Sequence, residues 1–101
     1  MSALSSGVLT TSGEVIVAPV SLTGLEVLTD GSHGVTVTLY DNISAATGNV
    51  LYEAVCAATP QTQTQFIPIP IQASAGIYMN ISGTGGSAIV YYDLNTNTGG
   101  Y

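Results

Sequence analysis

The sequence predicts an all-β, single-domain antiparallel β-sandwich or jelly roll of about seven or eight strands. Three observations carry that reading. Runs of β-branched and aromatic residues recur along the chain, the clearest being Gly34-Val35-Thr36-Val37-Thr38-Leu39-Tyr40-Asp41-Asn42. Clusters of Gly, Ser, Asn and Asp separate these runs at intervals of about 8–12 residues. No stretch carries the apolar period of an amphipathic helix. With 101 residues, the chain has the size of one domain and buries roughly two-thirds of its unfolded surface.

Residues 1–6 read as a flexible arm, small, polar and without pattern, residues 7–93 as the β domain, and residues 94–101 as a polar, flexible tail. Within the domain, Gly7 to Thr11 reads as a short strand and Ser12-Gly13 as a turn. Glu14 to Ala18 is an apolar run ending at Pro19, which suits a strand covered on both sides. In Val20 to Thr29 the parity of the apolar residues changes at Gly24, as a β-bulge or a bend between sheets would require. Asp30-Gly31-Ser32-His33-Gly34 is a turn cluster.

The run at Gly34–Asn42 follows, with Val35, Val37 and Leu39 on one face and Thr36, Thr38 and Tyr40 on the other. Propensity and pattern agree there, so it reads as an interior strand. Asn49 to Cys56 alternates more loosely and forms another strand. In Phe66-Ile67-Pro68-Ile69-Pro70-Ile71 the isoleucines and the prolines each recur at period two. That pattern predicts an edge strand paired through residues 67, 69 and 71, its free edge stripped of donors by Pro68 and Pro70. Ile77-Tyr78-Met79-Asn80-Ile81 alternates strictly, Ser82 to Gly86 reads as a hairpin connection, and Ala88 to Asp93 is the last strand.

Composition excludes several functions. The chain has no Lys or Arg, six Asp and Glu and one His, where an average chain of this length holds about a dozen basic residues. Holding nucleic acid requires neutralising phosphates, and an anionic membrane surface asks for the same cations, so neither is an expected partner. Net negative charge serves solubility, or it awaits a partner that brings positive charge. The apolar runs fall short of the roughly 18 residues a spanning helix needs, and the N-terminus lacks a signal-peptide pattern. Cys56 stands alone, so no intrachain disulfide is expected; it reads as a small buried hydrophobe.

The candidate chemistry is sparse. Asp30-Gly31-Ser32-His33 holds the residue types of a hydrolytic triad, but adjacency is not convergence, and it reads as a polar turn. A small hydrolase using His33 would follow only if these groups converged. Asp30 and His33 would supply two metal ligands where closed sites take about four. Gly83-Thr84-Gly85-Gly86 lacks the lysine and the following helix of a phosphate loop. No catalytic, metal or cofactor residue is therefore assigned. Tyr40, Tyr78 and one of Tyr91 and Tyr92 are expected on outward faces, as a carbohydrate-stacking surface or as oligomer contacts.

Gly-Val-Leu-Thr-Thr-Ser-Gly-Glu-Val at the domain start and Val-Thr-Val-Thr-Leu-Tyr-Asp-Asn-Ile-Ser-Ala-Ala-Thr-Gly over residues 35–48 resemble small virion proteins of tailed bacteriophages, cyanophages among them. Ile69-Pro70-Ile71, Gly76-Ile77-Tyr78 and the run from Gly83 to Tyr92 extend the resemblance over most of residues 7–93. It implies a head decoration (cement) protein: a β-sandwich or jelly roll that binds the outer surface of the major capsid protein shell as a homotrimer, after assembly in the host cytoplasm. It implies no catalytic residues. The alternative is a receptor- or carbohydrate-binding module of a head fibre or tail. In a clamp of this kind the expected contacts are the outward row Thr36, Thr38 and Tyr40, and Ser2, Ala3 and Leu4 of the arm, ordered on a neighbour.

Overall fold

The strand β4 (Val35–Tyr40) sets the pattern for the molecule: Val35, Val37 and Leu39 are buried, and the intervening residues face away from the core. The computed structural model describes residues 4–59 and 62–94, with the backbone alone over 62–69. Among the described residues there are eight strands and no helix. In chain order the others are β1 (Leu4–Ser5), β2 (Gly13–Ile16), β3 (Val20–Leu28), β5 (Val50–Cys56), β6 (Thr62–Ala73), β7 (Ile77–Ser82) and β8 (Ser87–Leu94). They form two antiparallel four-stranded sheets, ordered β1-β8-β3-β6 and β2-β7-β4-β5. The expected all-β class is therefore present.

The pairings nest. β1 pairs with β8, β2 with β7, β3 with β6 and β4 with β5, while β3·β8 and β4·β7 contacts complete each sheet. Only β4 and β5 are consecutive strands within one sheet; every other connection passes from one sheet to the other. The inward rows of both sheets meet in one core, with Leu22, Leu25 and Val90 from the first sheet and Leu39, Ile77 and Met79 from the second. Burial of these side chains, at about 1.5–3 kcal/mol each, is the main favourable contribution in a chain without Lys or Arg. Cys56 is part of that core, as expected of a small hydrophobe.

The parity change at Gly24 is a bulge. Against β8, Leu22 faces Tyr92 and Gly24 faces Tyr91, so Thr23 is the additional residue. Both halves of β3 thereby keep their apolar residues inward: Val20 and Leu22 before the bulge, Leu25 and Val27 after it.

Other expectations are corrected. β6 is an edge strand, but Leu22 faces Ile71 and Gly24 faces Phe66, so residues 67–70 lie opposite Thr23 alone. Ile71 pairs as expected; Ile67 and Ile69 fall inside this break and do not pair. Two prolines cannot donate to a ladder, and a wide bulge accommodates them. Glu14 to Ala18 is not covered on both sides: β2 ends at Ile16, has β7 as its only strand neighbour among the described residues, and leaves Glu14 and Val17 exposed. Gly7 to Thr11 forms a single bridge between Leu9 and Ala88 in place of a strand. Ser82 to Gly86 is not a hairpin, because β7 and β8 lie in different sheets.

At the ends of the domain, Leu4 and Ser5 pair with Tyr92 and Tyr91, and Leu94 pairs with Val20, so these arm and tail residues belong to the first sheet. Ser2 and Ala3, and residues 95–101 of the expected tail, lie outside the described residues.

Asp41 ties two connections together. Its Oδ1 accepts from the Ala75 N–H at 2.8 Å and its Oδ2 from the Ser74 N–H at 3.1 Å. The Ala75 bond leads in holding its carboxyl below the ordinary 3.8, against an opposing contribution from partial burial. A depressed folded pKa contributes stability that is present above the unfolded pKa and lost as pH falls through the folded value. Asp41→Asn is accordingly expected to cost about 1 kcal/mol near neutral pH. The variant's melting temperature should also fall less steeply than the parent's in acid, which thermal melts across pH would check.

Candidate interaction surface

The outer face of the second sheet is built from the side chains that alternation leaves outside the core. The register sets them in cross-strand rows. Glu14, Tyr78, Tyr40 and Val50 form one row, Asn80, Thr38 and Glu53 a second, and Ser82, Thr36 and Val55 a third. Tyr40 and Tyr78 are directly opposite each other, the arrangement in which cross-strand aromatic pairs interact. Both are half-buried. Val50 and Val55 are 55% and 63% exposed, so the flank toward β5 is apolar and open.

The middle row is fixed by hydrogen bonds. Thr38 Oγ1 donates to Glu53 Oε2 at 2.9 Å, and the Ser12 hydroxyl donates to Asn80 Oδ1 at 3.3 Å while accepting from the Ile81 N–H at 2.9 Å. Thr38 is only 6% exposed, so it holds Glu53 in place and offers little surface of its own. Thr36 and Tyr40 remain accessible on either side. Leu4, 40% exposed, lies on β1 in the other sheet and does not join this face. Sequence reasoning missed Val50, Glu53 and Val55. The register shifts on β5 between the partners of Leu39 and Tyr40, leaving Leu51 as the additional residue. That shift hides the alternation of Asn49 to Cys56 in the sequence.

The first sheet presents Tyr91 outward, while Tyr92 is buried. The Tyr91 hydroxyl donates to Glu26 Oε1 at 3.3 Å. Desolvation, then the Glu26 charge, raise its pKa above the ordinary 10.0.

In the loop after β3, Asp30 serves the backbone. Its Oδ1 accepts from the Ser32 N–H at 2.8 Å and the His33 N–H at 2.9 Å, and its Oδ2 meets His33 Nδ1 at 2.9 Å. The Ser32 backbone bond, then His33, lower the Asp30 pKa. The histidine ring bonds the aspartate in the same short turn, an Asx-type cap of the loop. No group of three or more potential metal ligands exists among the described residues. No protein-family model matches this chain, and no curated protein or solved structure matches it either.

Proposed function

We propose that the fold is a jelly roll and that the chain is a structural virion protein, a capsid decoration (cement) protein that binds the outside of a major capsid protein shell as a homotrimer. The nested pairing supports the jelly roll. Strands first and last, second and seventh, third and sixth, fourth and fifth pair as one long antiparallel ribbon folded over on itself. Jelly rolls are common in viral capsid and lectin domains.

The observation that carries the docking role is the outer face of β2-β7-β4-β5. Its tyrosine pair and exposed valines can be covered by a partner without stranding a lysine or arginine, because the chain has neither. Covering Val50 and Val55, each already partly buried, contributes about 1 kcal/mol apiece. Repetition over threefold-related copies multiplies such modest terms through effective concentration. The net charge of −6 opposes self-association, so trimers form where apolar contact or a basic shell offsets the repulsion.

Particles stripped of this protein should lose resistance to heat, and adding the purified protein back should restore it. Particles equally resistant with and without it would refute the role. The facing Tyr40 and Tyr78 favour a second reading, a carbohydrate-binding module of a head fibre or tail, because flat polar-tipped rings stack on sugars. A glycan array with the purified protein separates the two: binding lost in Tyr40→Ala supports the second.

A further inference from the structure

Two sheets have four edges, and the chain guards three of them. β1 contributes two residues. β2 contributes four and is broken by a register shift between Glu14 and Ile16. β6 carries Pro68 and Pro70 in the stretch pulled out of register. Short strands, bulges and prolines are the devices by which proteins keep sheet edges from pairing with other chains.

β5 has fewer of them. It contributes seven residues, none of them Gly, Pro or Lys, and its register with β4 is unbroken from Tyr52 to Cys56. β4 is its only strand neighbour among the described residues. Its outward side chains at this end are Glu53 and the 63%-exposed Val55. Thr38 occupies Glu53 Oε2, leaving Oε1 for a further donor.

We propose that the outer edge of β5 over Tyr52–Val55 takes a β-strand from a different protein, one that places a Lys or Arg opposite Glu53 and an apolar residue opposite Val55. Main-chain hydrogen bonds along the edge supply affinity, and the alternating pattern supplies the choice of partner. Charge argues for a different protein over a second copy. Two β5 strands paired antiparallel about Glu53 would set carboxylate against carboxylate, which destabilises a sheet. The neighbouring in-phase register sets each Glu53 against the Val55 of the other copy. Neither supplies a side-chain cation, since the chain has no Lys or Arg and its one histidine is engaged by Asp30. The inference rests on the docking role proposed above and names the surface and the chemistry of the partner.

The test titrates the isotope-labelled full chain with a blocked peptide, Thr-Val-Thr-Lys-Thr-Val-Thr, and with its counterpart carrying Glu in place of Lys. The expected result is amide shifts and slowed hydrogen exchange concentrated on β5 with the Lys peptide. Affinity should fall as salt rises, and the Glu peptide should bind about tenfold more weakly or worse. Glu53→Lys should reverse the preference between the two peptides, which a purely structural Glu53 would not do. Shifts confined to other strands, equal binding of both peptides, or no saturation with the Lys peptide would overturn the proposal. So would slowed exchange on β5 that grows with the concentration of the chain alone, because the occupant would then be a second copy. Loss of peptide binding with particle stabilisation intact removes this edge as the docking surface and leaves the docking role standing; the reverse result refutes the role alone.

Discussion

Gly83→Ala is expected to destabilise the protein by about 3 kcal/mol, the sum of backbone strain and a steric conflict. Gly83 has a φ of +123°, a conformation that residues with a Cβ rarely adopt. A Cβ there would also run into the carbonyl oxygen of Gly34 and come within 3.0 Å of the Val35 Cα. The crossing from β7 to β8 therefore lies directly against the start of β4, and both are backbone, with no flexible side chain to give way. Gly7→Ala provides the control: its φ is +76°, but nothing lies within 4 Å of the added methyl. It should cost about 1 kcal/mol. Thermal melts of the two variants would separate strain from collision, with roughly 4–8 °C expected per kcal/mol. Equal, small shifts would mean that the β7–β8 crossing does not pack against β4 as described.

The second large effect is in the core. Leu39→Ala removes most of a fully buried side chain at the centre of the second sheet, between Tyr52 on β5 and Met79 on β7. A cost of about 3 kcal/mol is expected, within the usual 2–5 for such truncations. Val55→Ala on the neighbouring strand removes a 63%-exposed side chain and should stay within about 0.5 kcal/mol in the isolated protein. Denaturant unfolding of both checks the division between inward and outward rows. A small effect at Leu39 with a large one at Val55 would invert the faces of the sheet.

The sequence was most legible where local chemistry decides the structure. β4 could be read as an interior strand because its β-formers alternate without interruption, and it lies between β7 and β5. Gly24 marked the bulge because only a parity change keeps both Leu22 and Leu25 buried. Pro68 and Pro70 marked an edge because they cannot donate. What could not be read depends on partners distant in the chain. Nothing local says that Glu14 to Ile16 lies at the rim, since its neighbour count is set by β7. The glycines of Ser82–Gly86 signal a turn equally well whether it joins strands in one sheet or in two. Thr38 looks like surface until β5 supplies Glu53 to cover it. Of the candidate contact residues, Thr36 and Tyr40 stand on an accessible face, whereas Val50, Glu53 and Val55 emerged only from the register of β5.

The proposed docking role has a physical economy that follows from the same features. A chain with formal charge −6 and neither Lys nor Arg cannot form Lys or Arg ion pairs with itself. Its carboxylates are used instead as acceptors for backbone or hydroxyl donors, as Asp30, Asp41 and Glu53 are. Glu14 and the second oxygen of Glu53 remain on the outer face beside exposed valines. On the proposed role, the charge of such a surface opposes self-association and suits a basic, partly apolar partner.

The most direct test is a density map of the whole particle that carries this protein. The account predicts copies at every equivalent position on the outside of the shell, in threefold clusters, with Tyr40, Tyr78 and Val55 covered by a neighbour. A few copies at a tail or fibre, or regular copies whose β2-β7-β4-β5 face is open to solvent, would contradict it.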